Sequence, residues 1–354
     1  MKRLMIVIVA CVIGVVGIKV LSKPVSRLPA LKIVALTNDQ AHQTALINEF
    51  PSASPDGRYL AFQRTDDIKI EEAKDGTRYY DFTDDSNWDI WKMRTDGTEW
   101  QRLTDSPSME DQPIWSPDGK MIVYRFLNEG NFDIFLMDGD GGNKRPLVEE
   151  PESDEKAPAF SPDGRHVVFF SNRDGTKWSL YVIELATRLI TRVTEGKYED
   201  KHPQFSRDGR KIIFHSSRNG HKRFIPGIGN DQMMGIFSLD LATRQITPLA
   251  VSQPDEDNRH PFISPDGRFI AYHCNKYTPK KPDQPDAAKR IERDIYLMMQ
   301  DGRRSLNLTK DDERQFKHPS WSADGKQIYC LVKDGEMAWN ICAIEVTHAL
   351  ARLE

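Results

Sequence analysis

Six copies of a Ser-x-Asp-Gly tetrapeptide divide this chain into units, and nothing else in it limits the fold as tightly. They stand at Ser54–Gly57, Ser116–Gly119, Ser161–Gly164, Ser206–Gly209, Ser264–Gly267 and Ser322–Gly325. Successive glycines lie 62, 45, 45, 58 and 58 residues apart, a base period of 45 with three insertions. Three residues before each Ser is a proline: Pro51, Pro113, Pro158, Pro203, Pro261 and Pro319. Five residues after each Gly is an apolar or aromatic residue: Phe62, Tyr124, Phe169, Phe214, Tyr272 and Cys330.

Each unit reads as four short strands. The first ends at the turn, as in Pro113-Ile114-Trp115-Ser116, and the second follows it, as in Met121-Ile122-Val123-Tyr124. A third alternates, as in Asp133 to Met137, and an Asp-Gly turn leads to a fourth ending in Leu-Thr, as at Leu103-Thr104. Asp-Gly supplies the positive φ of a tight connection, and the alternation buries one face of each strand. One such sheet cannot bury its faces alone, whereas six packed radially can, so the period predicts an all-β, six-bladed β-propeller. The sixth unit stops after its third strand, Asn340 to Val346. Leu31 to Thr37 supplies the missing Leu-Thr strand, so the N-terminal segment is expected to close the last blade and protect its edge.

The chain carries 49 basic and 53 acidic side chains. Setting aside residues 1–22 removes Lys2, Arg3 and Lys19 and no acid, leaving 46 basic against 53 acidic side chains. That balance excludes a nucleic-acid binder held by a basic face. Four cysteines without a C-x-x-C spacing exclude a disulfide scaffold and a zinc ribbon. Lys2 and Arg3 precede Leu4 to Ile18, fifteen residues without charge, which is the pattern of an export signal. The expected organisation is therefore a signal peptide or signal anchor over 1–22 and a single propeller domain over 23–354. The body is placed outside the cytoplasm, in the periplasm or beyond, touching membrane only through the N-terminal segment. No A-x-A site settles cleavage against retention. Ile8-Val9-Ala10-Cys11 resembles a lipobox, which would make Cys11 a lipidation site.

Pro-x-Trp/Phe-Ser-Pro-Asp-Gly, the run Asp133 to Asn143 and the Arg-Leu-Thr ending resemble the repeats of the TolB-type propellers, over residues 30–354. That resemblance implies a periplasmic binding platform with an envelope lipoprotein or other envelope protein as partner. TolB proteins also carry an N-terminal α/β domain, for which the roughly 50 residues before the first turn leave no room.

Three insertions, roughly 68–87, 219–234 and 276–293, fall between second and third strands and so share one face of the ring. The first has a Lys74-Asp75-Gly76 turn between alternating runs and reads as a long hairpin. Long loops on rigid blades are where binding is usually built. His202, His260 and His318 each precede the repeat proline, at what reads as the start of the innermost strand and the channel mouth. His215 and His273 recur near the far end of the second strand, so His202 is expected near His215 and His260 near His273. Three roles stay open for them: hydrogen bonding to neighbouring loops, a polar site for peptide or glycan, or a metal site of His260, His318, His215 and His273. Lys156, Lys201, Arg259 and Lys317, directly before the pre-proline positions, would form a positive rim favouring an anionic ligand, or else are ordinary solvated side chains.

His318 to Gly325 also resembles the repeats of the oligogalacturonate lyases, in which a histidine cluster and a Gln hold manganese for Lewis-acid elimination. Phe316 stands where that pattern would place a further His. No G-x-S-x-G elbow, H-E-x-x-H helix or phosphate-cradling loop occurs, and a hydrolase domain of propeller peptidases has no room. Cys330 and Cys342 fall on adjacent strands and are expected as buried free thiols; pairing in an oxidising compartment would leave Cys274 over. The leading reading is a cofactor-free platform binding a protein, peptide or anionic glycan at the channel mouth. The alternative is a polysaccharide lyase using Mn or another divalent metal.

Overall fold

The computed structural model describes residues 32–37, 47–65, 69–72, 78–81, 87–175, 177–225, 229–279, 289–333 and 339–354. The predicted leader and Cys11 lie outside the described residues, as do the tips of all three insertions. Six four-stranded antiparallel sheets follow one another along the chain. Blade 1 begins with the innermost strand Ile47–Ala53, blade 2 with Glu110–Trp115 and blade 3 with Glu155–Phe160. Blades 4, 5 and 6 begin with Asp200–Phe205, Glu256–Ile263 and Gln315–Trp321.

Each tetrapeptide turn is built the same way, which explains its recurrence. The Ser hydroxyl donates to the Asp carboxylate at 2.6–2.7 Å in all six copies. That carboxylate oxygen also accepts the N–H of the residue after the Gly, for example Arg58 at 3.0 Å. The Gly takes φ between 68° and 76°, a conformation that a side chain disfavours.

The core is not central. Six apolar clusters each wedge between two neighbouring blades, as Ala61 and Ile90 of blade 1 meet Ile122 and Tyr124 of blade 2. Successive residues of a strand therefore serve opposite wedges: Ala61 faces blade 2, while Phe62 faces Leu331 and Ile341 of blade 6.

The ring closes as the strand count requires. Ile33–Ala35 pairs antiparallel with the third strand of blade 6, Asn340–Glu345, in the register Ile33↔Ile344, Val34↔Ala343 and Ala35↔Cys342. Thr37 then accepts the main-chain N–H of Ile341 at 2.9 Å, as Thr104 does for Ile90 at 2.8 Å in blade 1. The chain ends in a short helix, Thr347–Leu353, whose Ala349 and Leu353 are buried in the wedge between blades 5 and 6.

The first insertion forms the hairpin Lys69–Glu72 with Arg78–Asp81. The second is also a hairpin, Lys222–Ile225 with Gly229–Gln232, and the third prolongs two strands of blade 5 to Pro279 and back from Lys289. No helix among the described residues is long and apolar enough to cross a membrane.

Candidate binding site in the channel

The six pre-proline residues converge on the axis because every innermost strand is bulged there. The register between first and second strands shifts once in each blade, for example between Lys201 and Gln204 or Lys317 and Ser320. At the shift stands Phe50, Gln112, Ala157, His202, His260 or His318, each with φ between 48° and 52°. A non-glycine residue in that region costs about 1–3 kcal/mol, and the proline that follows restricts it further. A bulge of this kind re-aims a side chain. Here it turns six of them into the channel from the middle of their strands, so His202, His260 and His318 line its wall rather than start the strand.

These residues enclose a cavity of about 60 Å³, lined also by Pro51, Pro113 and Pro158. Ile114, Gln204 and Phe262 are shared with a funnel of about 320 Å³ on the side of the Ser-x-Asp-Gly turns. Trp115, Phe160, Trp321, Pro55, Pro117 and Arg207 help to line that funnel.

The five histidines form one cluster. Ring centroids lie 5.0 Å apart for His202 and His215 and 4.8 Å for His260 and His273, the two approaches expected within blades. The blades are linked as well: His202 lies 4.0 Å from His260, and His260 lies 4.4 Å from His318. Phe50 stacks on His318 at 4.1 Å. Phe50 and Gln112 were missed as site residues, although the register before the repeat proline carries both of them.

Burial holds all five imidazoles neutral. His202 is lowered to about 3 by desolvation and then by Lys201, Arg125 and Arg259. Desolvation likewise takes His215, His260, His273 and His318 well below 6.5. His215 and His273 each accept a main-chain N–H at Nδ1, from His260 and His318 respectively, so their protons sit on Nε2. Nδ1 of His260 and of His318 is buried without a hydrogen-bond partner among the described residues.

Such orphaned imidazole nitrogens fit a metal. One ligand atom from each of His260, His273 and His318 lies within 4.8 Å of the others. The free nitrogens of His260 and His318 suit Zn, Ni, Fe or Mn, whereas His273 would first have to release the His318 N–H from Nδ1 or lose its Nε2 proton. His215, whose ring centroid lies 5.4 Å from that of His260, falls outside this trio.

The basic residues do not form a free rim. Lys156 pairs with Asp154 at 3.1 Å and Lys201 with Glu199 at 3.3 Å. Arg259 pairs with Asp257 and Lys317 with Glu49, both at 2.6 Å. Lys317 also lies 4.4 Å from the centre of the Trp339 ring, and Lys156 lies equally close to that of Phe132.

Comparisons with known proteins agree with this architecture. The family profile of the TolB β-propeller domain (PD40) matches residues 143–281. An uncharacterized protein of Agrobacterium fabrum is 35% identical over 110 residues, 29% of this chain, and the match spans about a third (31%) of that protein's length. A structure from Agrobacterium tumefaciens described as a TolB superposes with a TM-score of 0.57 at 19% identity, over 84% of this chain and 90% of the other. An oligogalacturonate lyase in complex with manganese gives 0.53 at 13% identity, over 91% and 94%. At these identities the structural likenesses speak for the fold. The six-fold repeat, the blade count and the profile match together make this chain a six-bladed β-propeller that carries the TolB-type, Pro-Asp repeat, matched by the profile over residues 143–281.

Proposed function

We propose that this protein is a non-enzymatic binding platform, working outside the cytoplasm, that seats a peptide segment of an envelope protein or lipoprotein in its channel. The observation that carries this reading is the set of six bulges. They hold strained side chains around one axis and leave buried imidazole nitrogens of His260 and His318 unpartnered, while an open funnel leads to them. Strain of this kind clusters at ligand sites. Trp, Phe and Pro make up nine of the nineteen residues that line the funnel, beside four serines and with Arg207 as a cation, and the four rim cations already have carboxylate partners. That chemistry favours a peptide over an anionic glycan. A displayed peptide library selected on the full chain, with counter-selection on a His202→Ala/His260→Ala/His318→Ala variant, tests it. Enriched sequences that bind only the unmodified chain are expected; a library yielding none would refute the platform reading.

A second reading rests on the close trio His260, His273 and His318. A divalent transition metal held there would act as a Lewis acid, and the fold similarity to a manganese-bound oligogalacturonate lyase makes uronate polymers the substrate class to try. Phe316, buried in the wedge between blades 5 and 6, supplies no ligand. Elemental analysis of the chain purified without chelator or His tag, beside His260→Ala and His318→Ala, decides it. About one metal per chain, lost in both variants, would move this reading ahead of the platform.

A further inference from the structure

Five blades share a cross-strand aromatic pair, and the sixth replaces both of its members. Second and third strands oppose Phe62 to Trp91, Tyr124 to Phe135, Phe169 to Tyr181, Phe214 to Phe237 and Tyr272 to Tyr296. Four of these pairs have ring centroids 5.5–6.2 Å apart. Aromatic pairs directly opposite one another are a main unit of sheet stabilisation. In blade 6 the same two positions are Cys330 and Cys342. Their sulfurs lie 3.3 Å apart, both residues are fully buried, and the third cysteine of the described residues, Cys274, sits elsewhere, between blades 4 and 5.

One aromatic exchanged for cysteine would read as a repacked core position. Both exchanged together, in the one blade made from two ends of the chain, calls for an interaction that only the pair provides. Cys342 is also the residue against which Ala35 of the closing strand registers. We propose that Cys330 and Cys342 form a disulfide that staples the second and third strands of the closing blade, in place of the aromatic pair of the other five.

The bond forms by loss of two protons and two electrons from the two thiols, taken up by a disulfide oxidant such as glutathione disulfide or a dithiol oxidoreductase, which leaves as two thiols. Both sulfurs are sealed in the folded wedge, and burial pushes the Cys330 thiol well above its usual range. Oxidation therefore takes place while the hairpin is still open, before the ring closes. An oxidising compartment, as the expected export would provide, is the setting in which such a bond persists.

The test uses the full chain, reduced, unfolded in urea and refolded with a glutathione/glutathione disulfide buffer, then alkylated and mapped by mass spectrometry. A second sample of folded chain is held with the same buffer in sub-denaturing urea. The expected result is a linked peptide containing Cys330 and Cys342, with two of the four thiols lost to alkylation. Oxidised and reduced samples should also differ in melting temperature, a difference absent in Cys330→Ser/Cys342→Ser. Alkylation of both cysteines in both samples, or a link that runs to Cys274 instead, would overturn the proposal.

Discussion

The main-chain N–H of His260 donates to Nδ1 of His215 at 3.1 Å, across the boundary between blades 4 and 5. His318 makes the same bond to His273 at 3.4 Å, and Gln112 makes it to the side chain of Gln63 at 3.0 Å. Each of these three bulges thus frees an N–H that the neighbouring blade satisfies. A buried donor left unpaired costs about 1–3 kcal/mol. His215→Leu is expected to destabilise by about that amount in urea unfolding. His215→Gln, whose side-chain oxygen can accept as that of Gln63 does, should lose about 1 kcal/mol or less. Equal losses would show that the bond contributes nothing.

Acid sensitivity should begin at an unusually high pH. The five channel histidines have folded values below the 6.5 of a free imidazole, so below pH 6.5 the unfolded chain binds protons that the folded chain refuses. Stability is full above 6.5 and falls below it by about 1.4 kcal/mol per pH unit for each histidine. The decline continues towards the folded value, about 3 for His202. The turn aspartates act lower: the Ser54 hydroxyl, first among several hydrogen bonds, lowers Asp56 to about 2. Its contribution is present above 3.8 and disappears as pH falls through the folded value. Melting temperatures between pH 7.5 and 4.5 should drop steeply from about 6.5. Replacing His202 and His260 by Gln should flatten the slope, and a level profile down to pH 5 would contradict neutral buried imidazoles.

The blades were legible because each Ser-x-Asp-Gly turn is stabilised by residues within five positions of one another. The closing strand was legible too, because Leu36-Thr37 repeats the ending seen at Leu103-Thr104. The bulges were not. A positive φ at His202 or Phe50 is imposed by register against the second strand and by the ring, and the proline that follows points to extended backbone instead. For the same reason His318 reads as the start of a strand when it stands mid-strand. Of the four rim cations, Lys156, Lys201 and Arg259 pair with acids two positions earlier, which the sequence shows, and Lys317 does not. Lys317 meets Glu49 from the other end of the chain, and sequence proximity carries no trace of that pair.

That ion pair joins blade 6 to blade 1 beside the closure. Both side chains are mostly buried, and Lys317 also packs on Trp339. Removing one partner leaves a poorly hydrated charge behind, which is costlier than losing the pair. Lys317→Met and Glu49→Gln are each expected to destabilise by about 1–3 kcal/mol, and the double variant by less than their sum. A double-mutant cycle in urea measures the difference, and strict additivity would mean that the two charges do not interact.

The N-terminal strand should control how the ring opens. Ile33 packs against the wedge between blades 5 and 6, and Leu36 against the wedge between blades 6 and 1, so one short segment fills both sides of the last blade. Thr37 adds a hydrogen bond from its hydroxyl to Asn340 at 3.0 Å besides accepting from Ile341. Thr194 and Thr309 hold equivalent main-chain N–H groups at 3.0 and 3.1 Å, but within continuous blades. Thr37→Val and Thr309→Val should therefore cost similar equilibrium stability, about 1–2 kcal/mol. Only Thr37→Val should loosen the closure locally. In hydrogen exchange, amides of Leu36, Thr37 and Ile341 should lose protection in Thr37→Val while the amides of blade 5 keep theirs. Ile33→Asp should extend the loss through Ala343 and Ile344. Uniform loss across all blades in these variants would mean that the ring opens as a whole and the closing strand is not its weakest joint.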